Sequence, residues 1–164
     1  MKIAVFSDSH DNIDALKNAL EVVKKLDITQ GIHLGDFSSP PAMELIAQAG
    51  IPWTCVWGNI DYDKIALYTI AKPYNTIDVS DGDFREVTIA DRSLFLTHYP
   101  EIARLAALSG KYDAMFHGHT HRAAQEILGN TLLANPGELC GYRYGQSSFA
   151  VYNTEDNTLE HMYI

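Results

Sequence analysis

Cysteine is scarce in this chain. Only Cys55 and Cys140 occur, far apart and in no Cys-x-x-Cys pair, so neither a zinc ribbon nor a thioredoxin-like redox site is indicated. A single disulfide stays open, but two reduced thiols in a cytoplasmic protein are the simpler reading. Basic residues are also few, 12 against 21 acidic ones, giving a formal net charge of −9. Such a surface repels a phosphate backbone, which argues against broad nucleic-acid binding. A small phosphate ester remains compatible if local cations reverse the sign at the site. Long apolar runs are missing as well. The run from Met1 to Phe6 stops at Ser7-Asp8, too short for a signal peptide or a membrane span. The expectation is a soluble cytoplasmic protein with no membrane partner. No repeat, linker or low-complexity segment interrupts the chain. Its 164 residues, 46% apolar, suit one domain over 1–164 with a sizeable core.

What is present alternates. Ile3 to Phe6 reads as a strand buried on both faces. Asp11 or Asn12 caps a following helix whose Ile13, Leu16, Leu20 and Val23 keep helical spacing. A short strand over 31–34 follows. Ser39 before Pro40-Pro41 signals a helix start, with Gly50 near its end. A strand over 51–57 and a weaker helix over 62–71 come next. Strands over 85–90 and 93–97 pair around Asp91-Arg92. Ile102, Leu105 and Leu108 suggest a short helix after Pro100, and 112–116 reads as a strand. Hairpins are expected over 124–128 with 131–134, across Gly129-Asn130, and over 147–152 with 159–164. The first half implies a parallel sheet with crossover helices, and the second implies antiparallel additions or a second sheet.

Five of these strands end in a similar way. Asp8 and His10 follow the first, Asp36 the second, and Asn59 and Asp61 the third. His98 follows Phe95-Leu96-Thr97, and His119 with His121 follows the strand over 112–116. Ligands of open α/β sheets bind beyond the carboxyl ends of strands, so these residues would meet in one crevice. Each fragment alone is ordinary: a helix-start turn, a Gly-Asp turn, a left-handed Asn, a structural His. Together and in this order they form a specific set.

The set resembles the calcineurin-like metallophosphoesterases, especially the small single-domain phosphodiesterases of bacteria and archaea. The residues that carry the likeness are Asp8-Ser9-His10, Gly35-Asp36, Gly58-Asn59-Ile60-Asp61, His98, Gly118-His119-Thr120-His121 and Asn135-Pro136-Gly137. The resemblance implies an α/β fold, a four-layer α/β/β/α sandwich with mixed sheets. It implies two divalent transition-metal ions, manganese ahead of iron, nickel or zinc. Asp8, His10 and His121 would hold the first ion, and Asn59, His98 and His119 the second, with Asp36 as the bridge. Hydrolysis would proceed through a hydroxide shared by the two ions, so no Ser or Cys nucleophile is required. Asp36 and Asn59 would then carry catalytic roles, Asn59 through its amide.

Three positions depart from the family pattern. Tyr99-Pro100 follows His98 where Gly-His is frequent, Ile60 stands where a proton-donating His is frequent, and Glu138 stands where Ser is usual. A missing donor at Ile60 favours good leaving groups. The expected function is therefore metal-dependent hydrolysis of small phosphodiesters, a cyclic nucleotide or another diester. A phosphomonoesterase, or a non-catalytic interaction scaffold on the same fold, is the alternative. Self-association is a further expectation from small relatives. His33 and His161 are assigned structural roles, and His117 either orients a ligand or is structural too. Asp61 would hold a ligand histidine or shape its loop. Arg122 and Arg143 either contact phosphate or lie solvated at the surface.

Overall fold

The computed structural model describes residues 1–164 as eleven strands and four α-helices. They run in the order β1 (Lys2–Phe6), α1 (Ile13–Lys25), β2 (Gly31–His33), α2 (Pro40–Ala47), β3 (Trp53–Cys55), α3 (Lys64–Ala71), β4 (Ile77–Val79), β5 (Phe84–Ile89), β6 (Arg92–Thr97), α4 (Pro100–Ala107), β7 (Ala114–Phe116), β8 (Ala124–Leu128), β9 (Thr131–Asn135), β10 (Ser148–Asn153) and β11 (Thr158–Tyr163).

The strands form two sheets, β11-β10-β1-β2-β3-β4 and β5-β6-β7-β9-β8. Strands β1 to β4 run parallel, as the alternation of strands and helices predicts. In the second sheet β6, β7 and β9 are also parallel, with β5 and β8 added antiparallel at the edges. The final hairpin joins the first sheet through β10 beside β1, antiparallel. Strand β4 was not anticipated. Three residues, the middle one exposed, are too few to display a period of two. The strand expected over 51–57 is confined to its central three residues.

Alternation along each strand sorts side chains into layers. Ala4 and Phe6 face α1 and α2 in a core with Leu16, Met43, Ile46 and Trp53. Ile3 and Val5 face the other sheet and pack with Leu96, Phe116 and Tyr152. Phe95, Met115 and Leu133 face outward beneath α4 with Ala103 and Ala107. The order is helices, sheet, sheet, helix, the expected sandwich. Asn12 caps α1 by accepting from the Ala15 amide at 3.2 Å. No helix is long and apolar enough to cross a membrane.

Register brings the strand ends level. Phe6 pairs with His33 and His33 with Cys55, while Leu96 pairs with Phe116 and Phe116 with Ala134. The chain therefore leaves three neighbouring strands of one sheet, and three of the other, along a common edge.

Candidate metal centre

All seven residues singled out above meet at that edge. Each carboxylate is tethered by one oxygen and presents the other. Asp8 Oδ2 accepts from the His119 amide at 3.2 Å. Its Oδ1 makes no hydrogen bond, although it is buried. That oxygen lies 3.4 Å from His121 Nε2 and 3.7 Å from His10 Nε2. Asp36 Oδ1 accepts from the Ile60 amide at 3.0 Å. Its Oδ2 lies 3.5 Å from His10 Nε2 and 3.4 Å from His98 Nε2, so one oxygen faces two imidazoles.

The imidazoles are oriented in the same manner. His98 Nδ1 lies 2.8 Å from the Leu34 carbonyl and His121 Nδ1 lies 2.7 Å from Glu138 Oε2. Both acceptors require a proton on Nδ1, which leaves Nε2 with a lone pair aimed inward. His98 Nε2 then lies 3.0 Å from Asn59 Oδ1 and 3.3 Å from His119 Nδ1. Asn59 Oδ1 is also 2.8 Å from His119 Nδ1. Acceptor atoms brought this close need a proton or a cation between them. Donors bound ~2.1 Å from one transition metal are separated by roughly 3.0–3.4 Å, and most of these contacts fall in or near that interval. The unpaired, buried Asp8 Oδ1 and His10 Nε2 point the same way. The imidazole and carboxylate donors, with Asp8, His10 and Asp36 within 4.8 Å of one another, fit divalent metal binding.

The backbone is bent to make this arrangement. Asp8, His10, Asp36, His119 and His121 all adopt positive φ, between 41° and 69°. Non-glycine residues seldom do so, and such strain gathers at functional sites. Two glycines allow the closest approaches. A Cβ on Gly58 would strike the Asp36 carboxylate, and one on Gly118 would strike Ser7 Oγ and lie 2.7 Å from Asp8 Oδ2.

The charges support each other in the metal-free chain. Burial pushes the Asp8 carboxyl up, but the neighbouring imidazoles outweigh it and hold the group below the ordinary range. Asp36 is lowered for the same reason. Burial pushes His10 and His98 down, yet the two carboxylates win and raise both.

The other sequence assignments divide. His33 is fully buried, stacked on Phe37 at 3.8 Å between ring centres, and pushed down to about 3 by burial. His161 Nε2 lies 2.8 Å from the Asn135 carbonyl, also a structural contact. His117 touches the Gly118 carbonyl at 3.0 Å rather than any ligand side chain, so the orienting role is not seen. Asp61 shapes its loop. It accepts from the amides of Asp36 (2.9 Å), Ser38 (3.0 Å) and Gly58 (2.7 Å) and touches no histidine. Both cysteines are free and buried. Arg143 lines the cleft over the centre with Ile60 and Tyr142, whereas Arg122 does not. Tyr99 packs beside the histidines, 5.4 Å from the His98 ring and 5.9 Å from the His119 ring. Pro100 opens α4 immediately after it.

The residue that sequence reasoning undervalued is Glu138. It stands three positions past β9, is 1% exposed, and holds His121 Nδ1. Such a carboxylate fixes the tautomer of a histidine and its aim. Burial pushes Glu138 up, but the His121 imidazole and the amides of Tyr144 and Arg143 bring it below its ordinary range.

Comparison with known proteins identifies the family. A phosphodiesterase of Methanocaldococcus jannaschii is 32% identical over 157 residues, 94% of each chain. A solved archaeal phosphodiesterase superposes with a TM-score of 0.92 at 30% identity, covering 100% of both chains. YfcE, a phosphoesterase from E. coli, shares the fold at 18% identity with a TM-score of 0.71, covering 99% of this chain and 98% of that one. A Vps29 variant from Entamoeba histolytica does so at 14% and 0.72, covering 100% and 98%. The model of the calcineurin-like phosphoesterase superfamily domain matches residues 1–157, and the chain belongs to that superfamily.

Proposed function

We propose that this protein is a phosphodiesterase acting on small, activated phosphodiesters with two divalent cations. Asp8, His10 and His121 would hold one, Asn59, His98 and His119 the other, and Asp36 both. The observation that carries this reading is Asp36 Oδ2, which faces His10 at 3.5 Å and His98 at 3.4 Å. A shared carboxylate lowers the repulsion between two dications. Mixed imidazole and carboxylate donors favour manganese, iron, nickel or zinc over calcium, and we take manganese as the working ion. Bound there, such ions polarise a phosphoryl oxygen and bring the pKa of water towards neutrality.

The remaining work falls to the chain itself. The Leu34 carbonyl and Glu138 fix which nitrogen His98 and His121 present. Asn59 presents Oδ1 to the histidines, which leaves its NH₂ free to donate to a phosphoryl oxygen as charge develops there. Ile60 carries no proton, so the leaving oxygen departs without help from that position. Diesters of acidic alcohols are therefore the preferred class, ahead of phosphomonoesters. The similarity to an archaeal phosphodiesterase supports diesters. We place the protein in the cytoplasm and expect self-association.

The test is hydrolysis of bis-p-nitrophenyl phosphate by chelated protein before and after adding Mn²⁺. Turnover that appears with the ion and vanishes with chelator supports the proposal. No turnover with manganese, iron, nickel or zinc, alongside intact folding, overturns it in favour of a scaffold role.

A further inference from the structure

Beyond the seven donors, one wall of the cleft is built by a short strap, residues 141–145. Its root is joined to the backbone of the first candidate ligand. The Leu139 amide donates to the Ser7 carbonyl at 3.0 Å and the Cys140 amide to the Asp8 carbonyl at 3.0 Å. Asn12 donates to the Cys140 carbonyl at 2.7 Å. Gly141 turns the chain at φ 68°, and the strap closes on itself where the Gly145 amide meets the Gly141 carbonyl at 3.1 Å.

Glu138 then fastens the strap from beneath. Its Oε1 accepts from the Arg143 amide at 2.9 Å and the Tyr144 amide at 2.6 Å. Its Oε2 is the oxygen facing His121. One buried carboxylate thus sets both a candidate ligand and the strap. No other feature of the sequence requires an acid there, and a Ser would be too short to bridge the two.

The strap offers Tyr142 and Arg143 to the cleft, both exposed, Tyr142 at 67%. Three of the five arginines are held by acids: Arg85 by Asp78, Arg92 by Asp113 and Arg104 by Glu126. The Arg143 guanidinium has no such partner, although the chain carries a net charge of −9. A free guanidinium suits the two non-bridging oxygens of a phosphate, which it can grip with two parallel N–H groups. An exposed tyrosine on a pinned backbone is a rigid flat face with little entropy to lose.

We infer that the strap is the substrate-recognition element: Arg143 receives the phosphate and Tyr142 stacks on an aromatic group of the ester, with Glu138 as the positioning residue. The preferred substrates are phosphodiesters bearing a nucleobase or aryl group. This rests on the phosphodiesterase reading for its chemistry, but binding tests it separately.

Calorimetry on the Mn²⁺-loaded protein would compare inorganic phosphate, ribose 5-phosphate and adenosine 5′-phosphate. The nucleotide should bind at least about tenfold tighter than the sugar phosphate. Tyr142→Ala should erase that difference and leave ribose 5-phosphate affinity unchanged. Arg143→Gln should weaken all three about equally, roughly tenfold. Glu138→Gln should lower Mn²⁺ affinity by about 10- to 100-fold, a readout that needs no turnover. Tyr142 and Arg143 are surface side chains, so those variants should keep wild-type cooperative unfolding. Equal affinities for nucleotide and sugar phosphate in the wild type, or an Arg143→Gln variant that binds phosphate normally, would overturn the inference. Strap-dependent binding without any hydrolysis would leave the strap standing and remove the phosphodiesterase reading. Hydrolysis that ignores both strap variants would do the reverse.

Discussion

Asp36→Asn isolates the shared carboxylate from everything else the loop does. The asparagine can keep its oxygen towards the Ile60 amide, where Asp36 Oδ1 now accepts at 3.0 Å. Its NH₂ then points between His10 and His98, a donor where both cations need an acceptor. The flipped rotamer offers the oxygen inward but sets two N–H groups against each other at Ile60, which costs about 1–3 kcal/mol. Neither rotamer restores a negative charge between the two positions. Loss of a group that merely supports a ligand weakens metal binding about 10- to 100-fold, so loss of a shared ligand should cost at least ~100-fold.

That factor converts directly into a thermal shift. With free Mn²⁺ at 100 times the wild-type dissociation constant, binding stabilises the fold by about 2.7 kcal/mol. A 100-fold weaker site at the same concentration gains only RT ln 2, about 0.4 kcal/mol. For a chain of this length 1 kcal/mol moves the midpoint by roughly 2–4 °C. The wild type should therefore rise by about 5–11 °C over its chelated baseline, and Asp36→Asn by about 1–2 °C. Unfolding would be followed by circular dichroism, each protein measured with chelator and then with Mn²⁺. Turnover of bis-p-nitrophenyl phosphate should fall by at least ~10³ in kcat/KM, since positioning at both cations is lost. An Asp36→Asn protein that keeps the full Mn²⁺-induced shift and its turnover refutes the shared-ligand reasoning outright.

Four other perturbations separate the parts. Gly118→Ala should press on Ser7 and Asp8, costing about 1–3 kcal/mol by overpacking in urea unfolding and reducing Mn²⁺ affinity; unchanged affinity would mean Asp8 need not sit where it does. Asp61→Asn, folded and chelated, should lose about 1–3 kcal/mol because the new NH₂ faces the Ser38 amide, with the Asn59 loop loosened and kcat reduced. Ile60→His should speed diesters of poor leaving groups by up to about 10²-fold while barely changing p-nitrophenyl esters; equal gains for both would argue against a missing proton donor. His33 is neutral when folded, its pKa held at about 3 against an ordinary ~6.5, so its contribution is complete above that ordinary value and drains away as pH falls. Between pH 6 and pH 5 the chelated wild type should lose about 1 kcal/mol more than His33→Asn, because His10 and His98 titrate in both proteins and cancel.

The candidate donors are legible because each stands within five residues of a strand end, and strand ends are what apolar runs announce. Phe6 to Asp8, His33 to Asp36, Cys55 to Asn59, Thr97 to His98 and Phe116 to His119 all obey this spacing. No single fragment decided anything. The order did, since one register levels all five ends. The same rule reaches Glu138, three residues past Asn135, and should have marked it. It was obscured because Gly129-Asn130 announces a hairpin, and a hairpin strand looks antiparallel throughout. Strand β9 in fact serves two neighbours, antiparallel to β8 and parallel to β7. Its parallel side sends its carboxyl end to the common edge with the others. Local pattern names the turn at one end of a strand and is silent on the partner along its other side. Asp61 illustrates the complementary gap. Its three backbone partners lie in two different loops, 36–38 and 58, so no spacing along the chain encodes them. An acid within a ligand motif invites a ligand role, yet here it holds the peptide groups that aim the ligands. Sequence thus exposes the groups that face outward into the crevice, whereas the groups that hold them face inward and become visible only once the two sheets are stacked.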